Sequence, residues 1–135
     1  HRGREHTISS GHVTGNASNA RRIIVESFKI IEQKLKKNPF SVLVKAIENA
    51  APREEIVTIE YGGARYPKAV DCAPQRRVDV ALRLLVVGAS DRSFNKKRKV
   101  AEALAEEVIS AYHCSLDSVA IAKKNELERQ ADSSR

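Results

Sequence analysis

Ile56-Val57-Thr58-Ile59-Glu60-Tyr61-Gly62-Gly63-Ala64-Arg65-Tyr66-Pro67-Lys68-Ala69 is the stretch on which the fold turns. Apart from Glu60, its first six residues are β-branched or aromatic, the composition of a strand. Gly62-Gly63 supplies two residues that take positive φ without steric penalty, as a two-residue hairpin turn requires. Folding the chain there sets Glu60 opposite Arg65 and Ile59 opposite Tyr66, a charge pair beside an aliphatic–aromatic pair. Pro67 has no N–H for a ladder and belongs on an edge. A two-stranded hairpin by itself is marginal in water. The sequence therefore predicts a hairpin over about residues 56–69, leaning on helices at its base and on a partner at its tip.

No other segment reads as a strand; the flanks are helical. Upstream, from about Asn19, Ile24, Phe28, Ile31 and Leu35 recur at +4, +3, +4, while Arg22, Lys29 and Lys36, seven apart, line another face. Asn38-Pro39 punctuates the run: Asn is a good N-cap, and Pro suits the first helical position. A second helix follows to about Ala50, with Leu43, Ala46, Ile47 and Ala50 facing in, and Pro52 ends it. Downstream, Pro74 opens a third helix with Val78, Ala81, Leu82, Leu85 and Ala89 inward, Arg76 and Arg83 outward, and Gly88 near its end. A loop over residues 90–99 precedes a fourth helix to about Tyr112, striped by Leu104, Val108, Ala111 and Tyr112. Glu102, Glu106 and Glu107 give that helix an acidic face for solvent or a basic neighbour. Ser118 or Asp117 caps a last helix through Leu127. Residues 1–18 are polar, with Ile8 and Val13 their only bulky apolar side chains, and read as an arm or irregular segment. The prediction is a mainly α chain: a compact helical domain of five to six helices over 19–135, with one projecting β-hairpin.

With 135 residues, the chain is long enough for one compact domain and too short for two. Hydrophobic residues make up 41%, and mean hydropathy is −0.41, the balance of a soluble domain with a modest core. No apolar run approaches the roughly 20 residues that cross a bilayer, and no signal-peptide pattern is visible. Two cysteines, Cys72 and Cys114, are too few for a disulfide scaffold and predict a reducing interior. The chain opens on His1 and contains no Met, which points to a processed N-terminus or a native one upstream of His1.

Charge is placed unevenly. Residues 1–99 hold 20 basic and 10 acidic side chains, whereas residues 100–135 hold 4 and 7. A basic excess confined to part of the chain suits one face built for a polyanion. Lys96-Lys97-Arg98-Lys99 opens the fourth helix, Arg76-Arg77 the third, and Arg21-Arg22 the first. Cations oppose the dipole at a helix start unless an external anion sits there, and phosphates account for all three. Arg92 adds to the loop cluster, and Lys37 extends the basic turn after Lys36. On the hairpin, Tyr66 beside Arg65 and Lys68 is placed to stack on a base or ribose. Aromatics are only 4% of the chain, without an aromatic platform, so the chemistry favours backbone and shape recognition of structured RNA.

Catalytic readings fail. His113-Cys114 are sequence neighbours, which rarely point at each other, and a loop beyond a helix C-terminus explains them. The histidines and cysteines lack the clustered spacing of a zinc site, so no metal is expected. Gly62-Gly63 lacks the Gly-Lys-Ser/Thr of a phosphate loop. The Glu102/Glu106/Glu107 set reads as a helix face. No active site and no cofactor are expected. A stand-alone helical DNA-binding regulator is the rival from another class. Gln75-Arg76-Arg77 gives it a candidate recognition helix, but that helix's outer face is thin in other polar readers.

Asn38-Pro39-Phe40, with the run Val42-Leu43-Val44-Lys45-Ala46-Ile47-Glu48-Asn49-Ala50-Ala51-Pro52-Arg53-Glu54, resembles the second long helix of the S-seven family of universal small-subunit ribosomal proteins. Tyr66-Pro67-Lys68-Ala69-Val70-Asp71 and Ala73-Pro74-Gln75-Arg76-Arg77-Val78-Asp79 are similar to that family's hairpin exit and arginine-bearing helix start. Leu104-Ala105-Glu106-Glu107 and the ending from Lys123-Lys124 through Ser134-Arg135 resemble its C-terminal third. The likeness runs in order over about residues 20–135 and is nearer the archaeal and eukaryotic branch. Residues 11–20 depart from it, lacking the family's lysine-rich stretch. The resemblance implies a non-enzymatic constituent of the small subunit, in the cytoplasmic ribosome and not at a membrane, that binds the 3′ major (head) domain of the rRNA. It further implies head and platform proteins as neighbours, with the hairpin near the exit-site tRNA and mRNA. The residues expected at RNA are Arg21, Arg22, Lys29, Lys36, Lys37, Arg65, Tyr66, Lys68, Arg76, Arg77, Arg83, Arg92, Lys96, Lys97, Arg98 and Lys99.

Overall fold

Two asparagines set the first two helices in this computed structural model, which describes residues 16–93 and 96–134. Asn16 accepts a hydrogen bond from the Ser18 N–H at 3.0 Å and starts α1 (Ala17–Leu35). The helix thus begins two residues before the expected Asn19; the rest of the expected arm, residues 1–15, lies outside the described residues. Lys36 closes α1 in the left-handed conformation, φ 55°, its N–H donating to Glu32 O at 2.8 Å. Asn38 accepts from the Phe40 N–H at 3.0 Å, and Pro39 opens α2 (Pro39–Ala50) as expected.

The hairpin has the predicted register and extra length. β1 (Glu54–Tyr61) and β2 (Ala64–Asp71) pair from Glu54–Asp71 to Tyr61–Ala64, including Glu60 with Arg65 and Ile59 with Tyr66. Gly62 and Gly63 have φ of 58° and 83°, the two positive values of a tight primed turn. Three further helices follow: α3 (Pro74–Ser93), α4 (Val100–Tyr112) and α5 (Val119–Ser133). The fold is mainly helical with one hairpin, five helices being present among the described residues. No helix among them is long and apolar enough to cross a membrane.

α4 is the centre, packed against α1, α2 and α3. Ala101, Ala103, Ala105, Val108 and Ala111 are buried on several sides of it, and alanine lets the neighbouring helices come close. The core continues through Ile31, Val42, Ala46, Leu85 and Ile121. A helix enclosed this way has little free face: of the expected acidic exterior Glu102 stays exposed, but Glu106 and Glu107 do not. Glu107 is 0% exposed and Glu106 is half-buried. Glu107 Oε1 accepts from the Ser118 hydroxyl at 2.6 Å and from the Ala120 N–H at 3.3 Å. It therefore caps α5 across space, while the N-cap Ser118 spends its own hydroxyl on Glu107 rather than on the helix. Arg92 Nε lies 3.0 Å from Oε2, close enough for an ion pair but poorly aligned as a hydrogen bond.

Gly88 makes room for this carboxylate. A Cβ built there would meet the Glu107 carboxyl atoms at 2.6–2.9 Å. Gly88 is expected near the end of α3, ahead of a loop over 90–99; the helix runs on to Ser93, and the glycine serves packing. The inward face of α3 is Ala81, Leu85, Gly88 and Ala89, whereas Val78 and Leu82, expected inside, are 42% and 41% exposed. α5 also extends beyond the expected Leu127.

Residues 57–68 of the hairpin are all exposed, while its root packs on α5. Replacing 57–68 by an Asn-Gly turn should leave cooperative melting intact and move Tm by less than about 5 °C, because no core side chain is lost. Loss of the cooperative transition in a calorimetric scan would contradict a projecting hairpin.

Candidate nucleic-acid interface

The expected cations fall into free and engaged groups. Arg21, Arg22 and Lys29 are exposed on α1, sharing a shallow groove with Ser18, Val25 and Glu26. Arg21 and Arg22 are the fifth and sixth residues of the helix, beyond the first turn, so the dipole argument does not apply to them. Arg22 donates to Asn19 Oδ1 at 2.6 Å. In the α1–α2 turn Lys36 is exposed, and Lys37 Nζ donates to Tyr112 Oη at 2.9 Å, tying the turn to the end of α4.

At the root of the hairpin, Arg76 and Arg77 occupy the third and fourth positions of α3. Arg76 Nε donates to Glu55 Oε1 at 2.6 Å, and this partner raises the guanidinium's pKa above its ordinary value. Arg77 is half-buried, and its Nε is buried without an acceptor among the described residues. A buried N–H in that state costs about 1–3 kcal/mol. Cys72, just ahead of the helix, is buried, and burial followed by the Glu55 charge pushes its thiol pKa up. Arg83 is exposed farther along α3.

The loop before α4 is split. Lys96, Lys97 and Lys99 are exposed, but Arg98 is paired with Glu106. Arg92 is turned inward: it meets Glu106 at 3.4 Å and Glu107 at 3.0 Å, and donates to Asp117 O at 2.8 Å. Its charge is spent on α4 and the α4–α5 loop, so it does not join the exposed set. Lys34 approaches Glu106 at 4.0 Å from α1, giving that carboxylate three cationic neighbours.

On the hairpin, direct partners share a face. Tyr66 and Lys68 therefore stand with Val57, Ile59, Tyr61 and Ala64, whereas Arg65 lies on the other face opposite Glu60. Tyr61 is 79% exposed and Tyr66 58%. Tyr61 is not among the residues expected at RNA, although strand alternation puts it on the Tyr66 face. Glu55 and Glu107 were missed for another reason: their partners are remote in sequence. His113 closes α4 against Tyr112, and Cys114 follows it, exposed, at φ 55°.

The exposed side of α3 is mixed, with Gln75, Arg76, Asp79 and Arg83 on it. Val78, Leu82 and Val86 stand exposed among them, Val86 at 61%. A recognition helix wants Asn, Gln or Arg at those positions.

Comparison with known proteins agrees with the geometry. The family model described as ribosomal protein S7p/S5e matches residues 5–135. A protein of Nanoarchaeum equitans named small ribosomal subunit protein uS7 is 58% identical over 135 residues, covering 100% of this chain and 68% of the relative. Its namesake in Archaeoglobus fulgidus is 52% identical over 128 residues, 95% of this chain and 66% of the relative. That of Methanothrix thermoacetophila is 49% identical over 122 residues, 90% and 66%. The chain spans about two thirds of the length of these curated relatives.

Proposed function

The chain belongs to the S7p/S5e family of ribosomal proteins, and from that premise we propose that it is a structural, non-enzymatic constituent of the small ribosomal subunit. It binds and organises the 3′ major (head) domain of the rRNA, in the cytoplasmic ribosome, among the ribosomal proteins of the head and platform. The observation that carries this reading is the α3 start at the hairpin root. Two arginines occupy a helix N-terminus there, and the Arg76 side chain is 52% exposed. A phosphate beside the exposed Arg76 complements both the dipole and the charge. Arg21, Arg22, Lys29 and Arg83 on the helices, Lys36 and Lys37 in the α1–α2 turn, and Lys96, Lys97 and Lys99 before α4 supply further phosphate contacts. Arg98 places the last of these groups through Glu106. The exposed Tyr61 and Tyr66, with Lys68 beside them, give the hairpin a face for nucleotides of the exit-site tRNA or the mRNA; Arg65 serves the opposite face. The DNA-binding reading has no support, since the matched family and relatives are ribosomal proteins.

Co-sedimentation of the tagged chain with small subunits on a sucrose gradient tests the assignment; a chain that stays at the top with free proteins contradicts it. Phosphate-dominated binding carries its own signature. With six to eight contacts, log affinity for a 3′ major domain transcript should fall by about 0.7–0.9 per contact per decade of salt. A nearly flat salt dependence would exclude this mode.

A further inference from the structure

Arg76 has two possible customers for one guanidinium. Its Nε is held by Glu55, 21 residues away on β1, at 2.6 Å, a charge-assisted distance. The Arg76 side chain is nevertheless 52% exposed, and the structure gives its four Nη hydrogens no partner among the described residues, while Glu55 is only 21% exposed. The carboxylate is thus tucked beneath and the fork lies half in solvent. Glu55 also belongs to the hairpin root, where it pairs with Val70. That root has a second fastening on its other side: the Arg53 N–H donates to Glu128 Oε1 of α5 at 3.2 Å, and the Cys72 N–H donates to Arg53 O at 2.9 Å.

We propose that Arg76 is a bridge: Glu55 holds its Nε edge while its Nη edge grips an RNA phosphate, which makes Glu55 a positioning residue and ties the hairpin root to the RNA-bearing start of α3. The proposal rests on the reading of the α3 start as a phosphate site. Its physical basis is the shape of guanidinium. The planar fork has donors on separate edges and serves two anions at once. Lysine does not replace it. Its Nζ ends about where the arginine Cζ lies, so it reaches Glu55 and stops short of the phosphate, one point charge captured by the nearer anion. Glu55 would then act as a lock that only arginine satisfies without giving up the RNA.

The test is a substitution cycle on the full chain, measured as affinity for a 3′ major domain transcript at several salt concentrations, with circular dichroism confirming the native fold of each variant. Arg76→Gln should weaken binding about tenfold, the loss of one charged contact. Arg76→Lys, although it keeps the charge, should lose nearly as much and flatten the salt slope by about one contact. In the Glu55→Gln background the freed lysine should reach out, so that Arg76→Lys costs less than about threefold and the slope returns. An Arg76→Lys penalty equal in both backgrounds, or a lysine that binds like arginine with Glu55 present, overturns the bridge while leaving the phosphate site standing. If Arg76→Gln has no effect, the α3 reading falls and the bridge with it.

Discussion

Glu107→Ala will destabilise the fold by about 3–5 kcal/mol, combining truncation of a fully buried side chain with donors left without their acceptor. The side chain is 0% exposed and joins three helices. Ser118 and the Ala120 N–H lose their acceptor where α5 begins, and Arg92, reaching over from α3, loses the nearer of its two carboxylates. A cavity against Gly88 adds to the loss. For a domain of this size the melting temperature should fall by roughly 10 °C or more. Glu107→Gln keeps an acceptor for Ser118 and loses the charge, so it should cost less, about 1–2 kcal/mol. The same geometry makes a conditional forecast for Gly88→Ala. In the native background its methyl collides with the carboxylate, which is packed and has nowhere to withdraw, costing about 1–3 kcal/mol. In the Glu107→Ala background the obstacle is gone, and alanine's better helix propensity should make the change neutral or stabilising. Denaturant titration of the four proteins gives the cycle. Additive costs, or a Glu107→Ala loss below 1 kcal/mol, would mean that the carboxylate is not the joint between α3, α4 and α5.

That joint marks where the sequence stopped being legible. The hairpin register could be read because Gly62-Gly63 fixes the turn and strand alternation fixes the rest. The start of α2 could be read because Asn38-Pro39 carries a local capping signal. Both are short-range facts. Glu106 and Glu107 could not be placed, because a charge pattern on a helix predicts an outer face only when the helix has one. α4 is wrapped by three others, so Glu106 and Glu107 meet partners from neighbouring elements, Lys34, Arg92, Arg98 and Ser118, while Glu102 stays exposed. The role of Gly88 could not be read for a related reason: a close-packing glycine shows itself only once the opposing side chain is known. Among the site residues, chain position found the exposed cations of α1 and α3. It did not separate Arg92 from Lys96, because which cations pair internally is decided by tertiary contacts.

Those internal pairings also decide which basic group matters most for RNA. Arg76→Gln with Arg77→Gln should weaken rRNA binding about a hundredfold, two charged contacts at about 1.4 kcal/mol each. Converting Lys96, Lys97, Arg98 and Lys99 to Gln together should cost no more than that, although it removes twice the charge. Arg98 is already paired with Glu106, so its loss forfeits little attraction directly. The three remaining lysines are exposed and lose side-chain freedom on binding. Arg77, in contrast, is half-buried with an unmatched N–H, so part of its ordering and desolvation has been met by folding. Arg76 is held at Nε by Glu55 for the same effect. Pre-positioned guanidinium groups also grip phosphate oxygens bidentately, whereas lysines act as point charges. The comparison belongs at moderate salt, where loose surface attraction is screened to within about 8–10 Å and positioned contacts persist. Native circular dichroism in both variants is a condition of the test. If the quadruple variant loses clearly more affinity, charge density outweighs geometry, and the α3 start is not the principal RNA-facing element.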